Sequence, residues 1–566
     1  MILGIDLGTT NSLVSYFSEG KAILIPNSLG DYLTPSVVSI NDKNEILTGL
    51  AARERLSTHT ENTVSIFKRY MGTKKEFQLG KRFYRPEEIS SFILKSLKED
   101  AEVFLKQSIS KAVITVPAYF NDTQRKSTKI AGELAGLEVV SLLNEPTAAA
   151  LAYGLHNSTE ESKFLIFDLG GGTFDVSVLD YFEGVMEVRS STGDNFLGGE
   201  DFRNILVDQF IQKVAKPNLL PINDSNLLEM IRFQAELVKR SLSQENISEM
   251  KINWKDKTFS LSISNDEFMT WSEPLLQRLR RPVERALRDA RIKSSELDQI
   301  VLAGGATKMP IVRKMVAKMF GIMPASNLNP DEIVALGAAV QAGLKMNNTH
   351  LKEMVLTDVC PYTLGIEVSE RYGKDYKEGF YLPIIERNTI LPVSRSEPVV
   401  CLHDNQRKMQ ISIYQGESSK VKDNVYLGQI TVNFPNLPAQ ENKADVRFTY
   451  DINGILEVEV TVIPTGEKYR SIIEENPGVL TEKEIEERLK ILSKLKIHPR
   501  DQDENKVLIS RGERIYQESL KDTRMYIGNE LKIFSAILET QDLEKIIQAR
   551  EKFKSVLEEL EGEIFL

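Results

Sequence analysis

Two cysteines, Cys360 and Cys401, are all that 566 residues contain. A disulfide framework is excluded, and a reducing, cytosolic setting fits. The two could still pair, but two small packed side chains are the simpler reading. An excess of positive charge is also lacking: 81 acidic residues against 71 Lys and Arg give a formal net charge of −10. That disfavours a general nucleic-acid binder, whose phosphate contacts need a basic surface. No apolar run approaches the roughly 20 residues of a membrane span. No charged and apolar leader precedes the strand-like Met1-Ile2-Leu3, so no signal peptide is expected. Neither a Walker A sequence nor a Gly-x-Gly-x-x-Gly in a βαβ setting occurs, which argues against a P-loop enzyme and a dehydrogenase. What remains is an ordinary globular composition, 41% hydrophobic and 27% charged, in a chain long enough for several domains.

One pattern occurs twice. Ile5-Asp6-Leu7-Gly8-Thr9-Thr10-Asn11-Ser12 opens the chain, and Phe167-Asp168-Leu169-Gly170-Gly171-Gly172-Thr173-Phe174-Asp175 repeats its logic. Each copy is an apolar strand, then Asp-Leu-Gly, then Gly and Thr, then a second alternating strand. Glycine lets backbone N–H groups approach a phosphate without a Cβ in the way. Asp6, Asp168 and Asp175 can supply carboxylates to a divalent cation, directly or through water. Thr9, Thr10 and Thr173 can hydrogen-bond phosphate oxygens or a bound water. A single copy reads equally well as an ordinary hairpin turn. Two matched copies suggest two lobes facing one nucleotide across a cleft. A third glycine turn, Val301-Leu302-Ala303-Gly304-Gly305-Ala306-Thr307, suits the adenosine end.

Residues 1 to about 350 alternate strand and helix signals, an α/β body. Lys111 to Val116 is a buried strand stopped by Pro117. Asn121 to Ala135 reads as a helix, Glu145-Pro146-Thr147 starts a small-residue helix, and Asp331-Glu332-Ile333 opens the last helix. Lys352 to Asp358 suits a linker that docks, or the first strand of the next domain. From about 359 to 465 the period changes to two, as in Met409, Ile411 and Ile413, and Asp451-Ile452-Asn453-Gly454 is a hairpin turn. From about 480 the period returns to helical: Phe553, Val556, Leu557 and Leu560 follow i, i+3, i+4, i+7.

These strings, with Val116-Pro117-Ala118-Tyr119-Phe120-Asn121-Asp122, Asn144 to Gly154 and Asn329-Pro330-Asp331-Glu332, resemble the 70-kDa heat-shock protein chaperones. The resemblance runs from Met1 to at least Glu467, and the chain's length is most like the compact HscC subgroup. It implies a multi-domain protein: an α/β actin-like ATPase domain over 1–350, a linker over 351–358, an antiparallel β-sandwich for peptide over 359–470, and an α-helical lid over 471–566. It implies a cytoplasmic, ATP-hydrolysing chaperone of the stress response that binds and releases extended apolar peptides, with ATP/ADP, Mg2+ and K+ as cofactors. Asp6, Asp168 and Asp175 fall on the family's cation shell. Thr9, Thr10, Asn11, Gly170, Gly171, Gly172, Thr173, Gly198 and Gly199 fall on its phosphate loops. Lys68 matches the catalytic lysine, Thr173 the threonine near the attacking water, and Glu145 the carboxylate near the cation's water. Glu236, Lys239, Arg240 and Ser243, then Gly304, Gly305 and Lys308, match the adenosine contacts. Pro117, Arg125, Val355, Leu356 and Asp358 match positions that couple the domains. Ile366, Val399, Met409 and Ile411 align with the peptide pocket, and Leu402 with one arch over it. From the residues alone, Lys68 reads as a surface lysine, and the pocket residues read as sandwich core.

The chain also departs from the pattern. Ala306 and Lys308 stand where the family has Ser and Arg beside the adenine. Lysine stacks on a base less well than a guanidinium, so weaker nucleotide affinity is expected. Ser141 replaces an arginine that helps dock the J-domain cochaperone, which points to a dedicated partner. The segments from Tyr70 to Pro86 and from Phe210 to Glu229 are short, which puts dependence on a nucleotide-exchange factor in doubt. Ser369, Leu402 and Met409 alter the peptide site. A small-molecule kinase or filament-type ATPase uses the same twin hairpins. The β domain and lid after the linker distinguish the clamp from both.

Overall fold

The two Asp-Leu-Gly segments build the same arrangement twice. In a computed structural model of the chain, Ile2–Asp6 pairs antiparallel with Asn11–Ser18 and parallel with Lys111–Val116. Ser162–Leu169 pairs antiparallel with Phe174–Phe182 and parallel with Gln299–Ala303. Each apolar strand is therefore central, with its hairpin mate on one side and a crossover strand on the other. Both are buried on both faces, which is why they read as unbroken apolar runs. The first sheet runs Glu138–Asn144, Lys111–Val116, Ile2–Asp6, Asn11–Ser18, Lys21–Ile25. The second runs Gln299–Ala303, Ser162–Leu169, Phe174–Phe182, Val185–Asp194, Val355–Thr357. The structure describes residues 1–566 except 42, 57, 157–160, 183–184, 256, 326–327, 347, 349–350, 352–354, 373–374, 452–454, 475–502, 520 and 565–566.

Two helices of small residues join the lobes. Ile333–Lys345 packs on the first sheet, Glu145–His156 on the second, and each on the other. Ala148, Ala149 and Ala152 bury with Phe164, Ile166 and Ala339, where larger side chains would hold the sheets apart. Asn121 starts the helix Asp122–Leu134. Its side chain accepts from the Gln124 N–H at 3.0 Å, and the Gln124 side chain accepts from the Asn121 N–H at 3.0 Å. That reciprocal cap fixes the turn Pro117 to Phe120 just before it.

The segment before Asp358 does not open the next domain. Val355–Thr357 pairs parallel with Val185–Glu187 and covers an edge of the second-lobe sheet. Residues 352–354, part of the expected linker, lie outside the described residues.

Beyond it stands a sandwich. One sheet runs Asp375–Ile385, Leu364–Tyr372, Lys408–Gln415, Val425–Asn433, and the other Val393–Val400, Lys443–Tyr450, Ile455–Val462, Lys468–Glu474. Ile366, Ile411, Ile413 and Val432 face Val446, Phe448, Val458 and Val460 in its core. The last strand runs past the expected domain end at 470, because adjacent Ile472 and Ile473 mask its alternation. The turn expected at 452–454 lies outside the described residues. So does 475–502 of the expected lid. The helices Asp503–Glu518, Lys521–Glu539 and Leu543–Ile564 bury Phe553, Val556, Leu557 and Leu560 on one face. The Phe534 and Phe553 rings stack at 4.8 Å. Gln541 Nε2 donates to the Ser396 carbonyl at 3.3 Å, joining helices to sandwich.

Candidate functional site

The hairpin tips meet across a cavity of about 360 Å³. A Cβ on Gly171 would sit 1.8 Å from Thr10 Oγ1, so only glycine permits this approach. From the first lobe Asp6, Thr9, Thr10 and Asn11 line it, and from the second Asp168, Gly170, Gly171, Thr173 and Gly199. Lys68 and Glu145 lie between them. Glu236, Lys239, Arg240 and Ser243 come from the helix Ser225–Ser241 and its end, and Gly304, Gly305 and Lys308 from the third glycine turn. Gly304 has φ +78°, and a Cβ there would meet the Leu169 carbonyl oxygen at 2.3 Å. Gly172, Gly198 and Asp175 stand outside the lining. Gly172 packs on Thr9, and Gly198 packs on the Gly171 carbonyl. Asp175 turns away and accepts from the Tyr119 N–H at 3.2 Å.

Lys68 is not a surface residue. It is 2% exposed, and its Nζ donates to Glu145 Oε1 at 2.7 Å. The segment Phe67–Tyr70 is a single tight turn whose first two residues are buried. Nothing periodic marks such a turn in sequence, which is why exposure was the natural expectation. Arg69, in the same turn, was missed with it, and Thr115 was missed because its partner Asp6 is 109 residues away. Arg69 donates to the Gly172 carbonyl at 2.9 Å and pairs with Asp201 at 2.5 Å, tying the lobes together. Thr115 Oγ1 donates to Asp6 Oδ1 at 3.0 Å.

Negative charge outnumbers positive at the floor of the cavity. Burial pushes Asp6 up to about 7, with Glu145 adding to the effect. Burial, then Glu145, pushes Asp175 up to about 8 and Asp168 well above the usual carboxylate range. Lys68 opposes the rise at all three, and Arg125 opposes it at Asp175. Thr10 Oγ1 and Asp168 Oδ2 are buried without a hydrogen-bond partner. Orphaned buried oxygens beside raised carboxylates fit a bound cation and phosphate. Among the described residues no three Asp, Glu, His or Cys side chains stand close enough to ligate one ion directly. A cation here would therefore rely on water and phosphate oxygens. At the adenosine end, burial raises Glu236, but Lys239 at 2.7 Å and Arg240 at 2.8 Å hold it below its ordinary value. Lys308 pairs with Asp331 at the rim.

Pro117, Arg125 and Asp358, expected to couple the domains, lie at one seam. Arg125 is buried and donates to the carbonyls of Ala118 at 3.2 Å and Phe120 at 3.0 Å, and to Asn144 Oδ1 at 2.7 Å. Asn144 Nδ2 donates in turn to Asp358 Oδ2 at 3.0 Å. Burial raises Asp358, and the Val359 N–H opposes this. Pro117 ends its strand at this turn. Arg387 adds a second tie, to Asp289 at 2.9 Å and Glu417 at 2.5 Å. The peptide-pocket candidates fare differently. Ile366 and Ile411 are closed inside the sandwich core, while Val399, Leu402 and Met409 are half-buried. Leu402 N–H donates to Gln406 Oε1 at 3.0 Å, which shapes the loop after Cys401.

Comparison with known sequences matches residues 2–79 and 75–564 to the family model described as Hsp70 protein. The chain is 40% identical over 496 residues to the chaperone protein DnaK of Thermotoga petrophila, covering 86% of this chain and 82% of that one. It is 36% identical over 556 residues to the chaperone protein DnaK of Thermosipho africanus, covering 96% and 90%. It is 40% identical over 498 residues to the chaperone protein DnaK of Mycoplasmopsis pulmonis, covering 87% and 81%.

Proposed function

The chain belongs to the Hsp70 family, and from that premise we propose that it is an ATP-driven clamp for extended apolar peptides. It is an ATP-dependent chaperone with an actin-like ATPase domain, a β-sandwich substrate-binding domain and a helical lid. ATP loosens the sandwich and lid, and hydrolysis closes them. The observation that carries this reading is the seam between them: Val355–Thr357 in the second-lobe sheet, and Asp358 tied through Asn144 to Arg125. A nucleotide cleft and a sandwich that share a hydrogen-bonded seam can shift each other's equilibria.

In the cleft, the backbone of Gly170 and Gly171 and the hydroxyls of Thr9, Thr10 and Thr173 hold the phosphates. Lys68, fixed by Glu145, balances charge that develops on the transferred phosphoryl group. Asp6 and Asp168, with Asp175 behind them, would hold Mg2+ through water, and bound Mg2+ supplies electrostatic neutralisation of the phosphates. K+ is a second candidate, because the carboxylates of Asp6, Glu145, Asp168 and Asp175 outnumber the Lys68 ammonium. Glu236, Lys239, Arg240, Ser243, Gly304, Gly305 and Lys308 enclose the nucleoside. Leu402, Met409 and Val399 receive the peptide, over a core that includes Ile366 and Ile411. Burying one leucine-like side chain there gives roughly 1.5–3 kcal/mol, and backbone pairing adds the rest.

The partners are unfolded client segments and a J-domain cochaperone. Ser141, half-buried in the strand Glu138–Asn144, supports a dedicated one. The short segments after Tyr70 and Phe210 support independence from an exchange factor and a place with the compact HscC subgroup. We assign the protein to the cytoplasm; no described helix is long and apolar enough to cross a membrane. A small-molecule kinase or filament protein is disfavoured, since neither accounts for the sandwich at the seam. Single-turnover ATP hydrolysis, with and without an extended apolar peptide and a J-domain protein, tests the clamp. Acceleration by both is expected. If peptide neither accelerates hydrolysis nor is released by ATP, the clamp reading fails.

A further inference from the structure

We propose that Tyr362 is a positioning residue that couples docking of the sandwich to the nucleotide cleft through the backbone of Tyr119. Tyr362 precedes the sandwich strand Leu364–Tyr372 and reaches across the seam. Its hydroxyl donates to the Tyr119 carbonyl at 2.6 Å, and the two rings lie 4.4 Å apart. Tyr119 in turn donates its N–H to Asp175 Oδ1 at 3.2 Å. One hydrogen bond from the sandwich and one to a buried carboxylate of the cleft thus fall on the same residue.

The ends of this path are held from both sides. On the sandwich side, Cys360 Sγ donates to the Tyr362 carbonyl at 2.9 Å, and Tyr381 Oη donates to the Thr363 carbonyl at 2.8 Å. On the ATPase side, Arg125 grips the carbonyls of Ala118 and Phe120, one on each side of Tyr119. Asn195 Nδ2 also donates to the Tyr119 carbonyl, at 2.7 Å. That carbonyl therefore keeps a partner when Tyr362 leaves, so the contact can break without stranding a buried acceptor. Burial raises the Tyr362 phenol, so it stays a donor over the working pH range.

A contact made only when the sandwich is docked biases that arrangement, and by reciprocity it biases whichever nucleotide state prefers it. Tyr362 acts on Tyr119 directly. The Asp358–Asn144–Arg125 chain acts on the same turn from its other face. Tyr362→Phe removes the hydroxyl and leaves the ring on Tyr119, so it separates coupling from packing.

The inference rests on the clamp reading, and the test keeps the two apart. The affinity of a labelled apolar peptide is measured by fluorescence anisotropy with saturating ADP and with saturating ATP, in the full chain and in Tyr362→Phe. The wild-type ratio of the two Kd values is expected to exceed one. In Tyr362→Phe this ratio falls roughly fivefold toward one, the scale of one hydrogen bond. The ADP-state Kd and the melting midpoint stay at their wild-type values, which a merely structural role would not allow. Tyr362→Leu, which removes the ring as well, lowers the ratio further and serves if the first variant does not fold. A wild-type ratio of one overturns the clamp itself. A wild-type ratio above one that persists in Tyr362→Phe and Tyr362→Leu overturns only the role of Tyr362, as does an equal change in both Kd values.

Discussion

In the nucleotide cleft, Asp168, Asp175 and Glu145 are buried, with half-buried Asp6, around the Lys68 ammonium, and Thr10 Oγ1 and Asp168 Oδ2 have no hydrogen-bond partner. In the sandwich, Ile366, Ile411, Val446 and Phe448 are buried around one another in a closed apolar core, while Val400, Tyr426 and Ile472 stay exposed outside it. The first arrangement disfavours the ionised carboxylates, because burial outweighs their few hydrogen bonds and the Lys68 ammonium and pushes Asp6, Asp168 and Asp175 upward. A bound cation would favour their ionised form. The second is favourable already, so it says little about what binds near it. Ligand sites built from charge declare themselves through what they leave unsatisfied. Sites built from apolar side chains are hard to tell from core.

The largest effect that would sharpen this contrast is at Lys68. Lys68→Ala leaves Glu145 buried without its partner and removes the cation proposed to face the phosphoryl group. Single-turnover hydrolysis should fall roughly 10²–10³-fold, with ADP still bound. A loss below tenfold would show that the charge imbalance serves binding and not the chemical step.

On the sandwich side, Ile411→Ala should lower stability by about 2–5 kcal/mol, as for a closed core position, in denaturant unfolding. Met409→Ala, half-buried, should instead weaken peptide binding with a smaller loss of stability. If Ile411→Ala weakens peptide binding at unchanged stability, Ile411 lines the pocket and the contrast breaks.

How much could be read from the chain follows the same division. The twin hairpins were legible because glycine, aspartate and threonine recur at the same spacing twice, which an ordinary turn does not explain. The helix from Asn121 was legible from its cap, and the strands from their period. Lys68 was not, because its burial comes from a turn folded between lobes far apart in sequence. Arg69, Thr115 and Tyr119 were silent for the same reason: their partners Asp201, Asp6 and Asp175 are 132, 109 and 56 residues away. The end of the sandwich was misplaced at 470 because Ile472-Ile473 breaks the alternation of the strand Lys468–Glu474. Whether alternating residues face a core or a groove depends on the opposite sheet, which period alone does not record.

The charge imbalance also sets a pH dependence. Burial raises Asp6 from 3.8 to about 7 and Asp175 from 3.8 to about 8. The folded, nucleotide-free protein therefore binds more protons than the unfolded chain between about pH 4 and 8. Its stability falls as pH rises through that window, at up to roughly 1.4 kcal/mol per pH unit for each proton. A cation favours the ionised carboxylates, so Mg2+ affinity should rise over pH 6–8 and level off above. Melting midpoints at pH 6, 7 and 8 should fall without ligand and flatten with Mg·ADP. Asp175→Asn should flatten the ligand-free curve. A ligand-free midpoint that rises from pH 6 to 8 contradicts this account.

The smallest expected effect is at the rim, where the cleft most resembles an ordinary surface. Lys308 is half-exposed and paired with Asp331, so its ammonium is already neutralised at short range. It can lend a base only a weak contact. An arginine there could keep Asp331 with one edge of its guanidinium and lay its flat face on the adenine. Such a stack at an exposed site is worth about 0.5–1 kcal/mol, or roughly a twofold to fivefold gain in ATP affinity. Calorimetry on Lys308→Arg measures it directly. An unchanged Kd would mean that adenine does not reach Lys308, and that nucleoside selectivity rests on the Glu236–Lys239–Arg240 cluster alone. In that case the rim is ordinary surface whose charge is already paired, and the case for a ligand rests on Thr10 Oγ1 and Asp168 Oδ2 at the buried floor of the cleft.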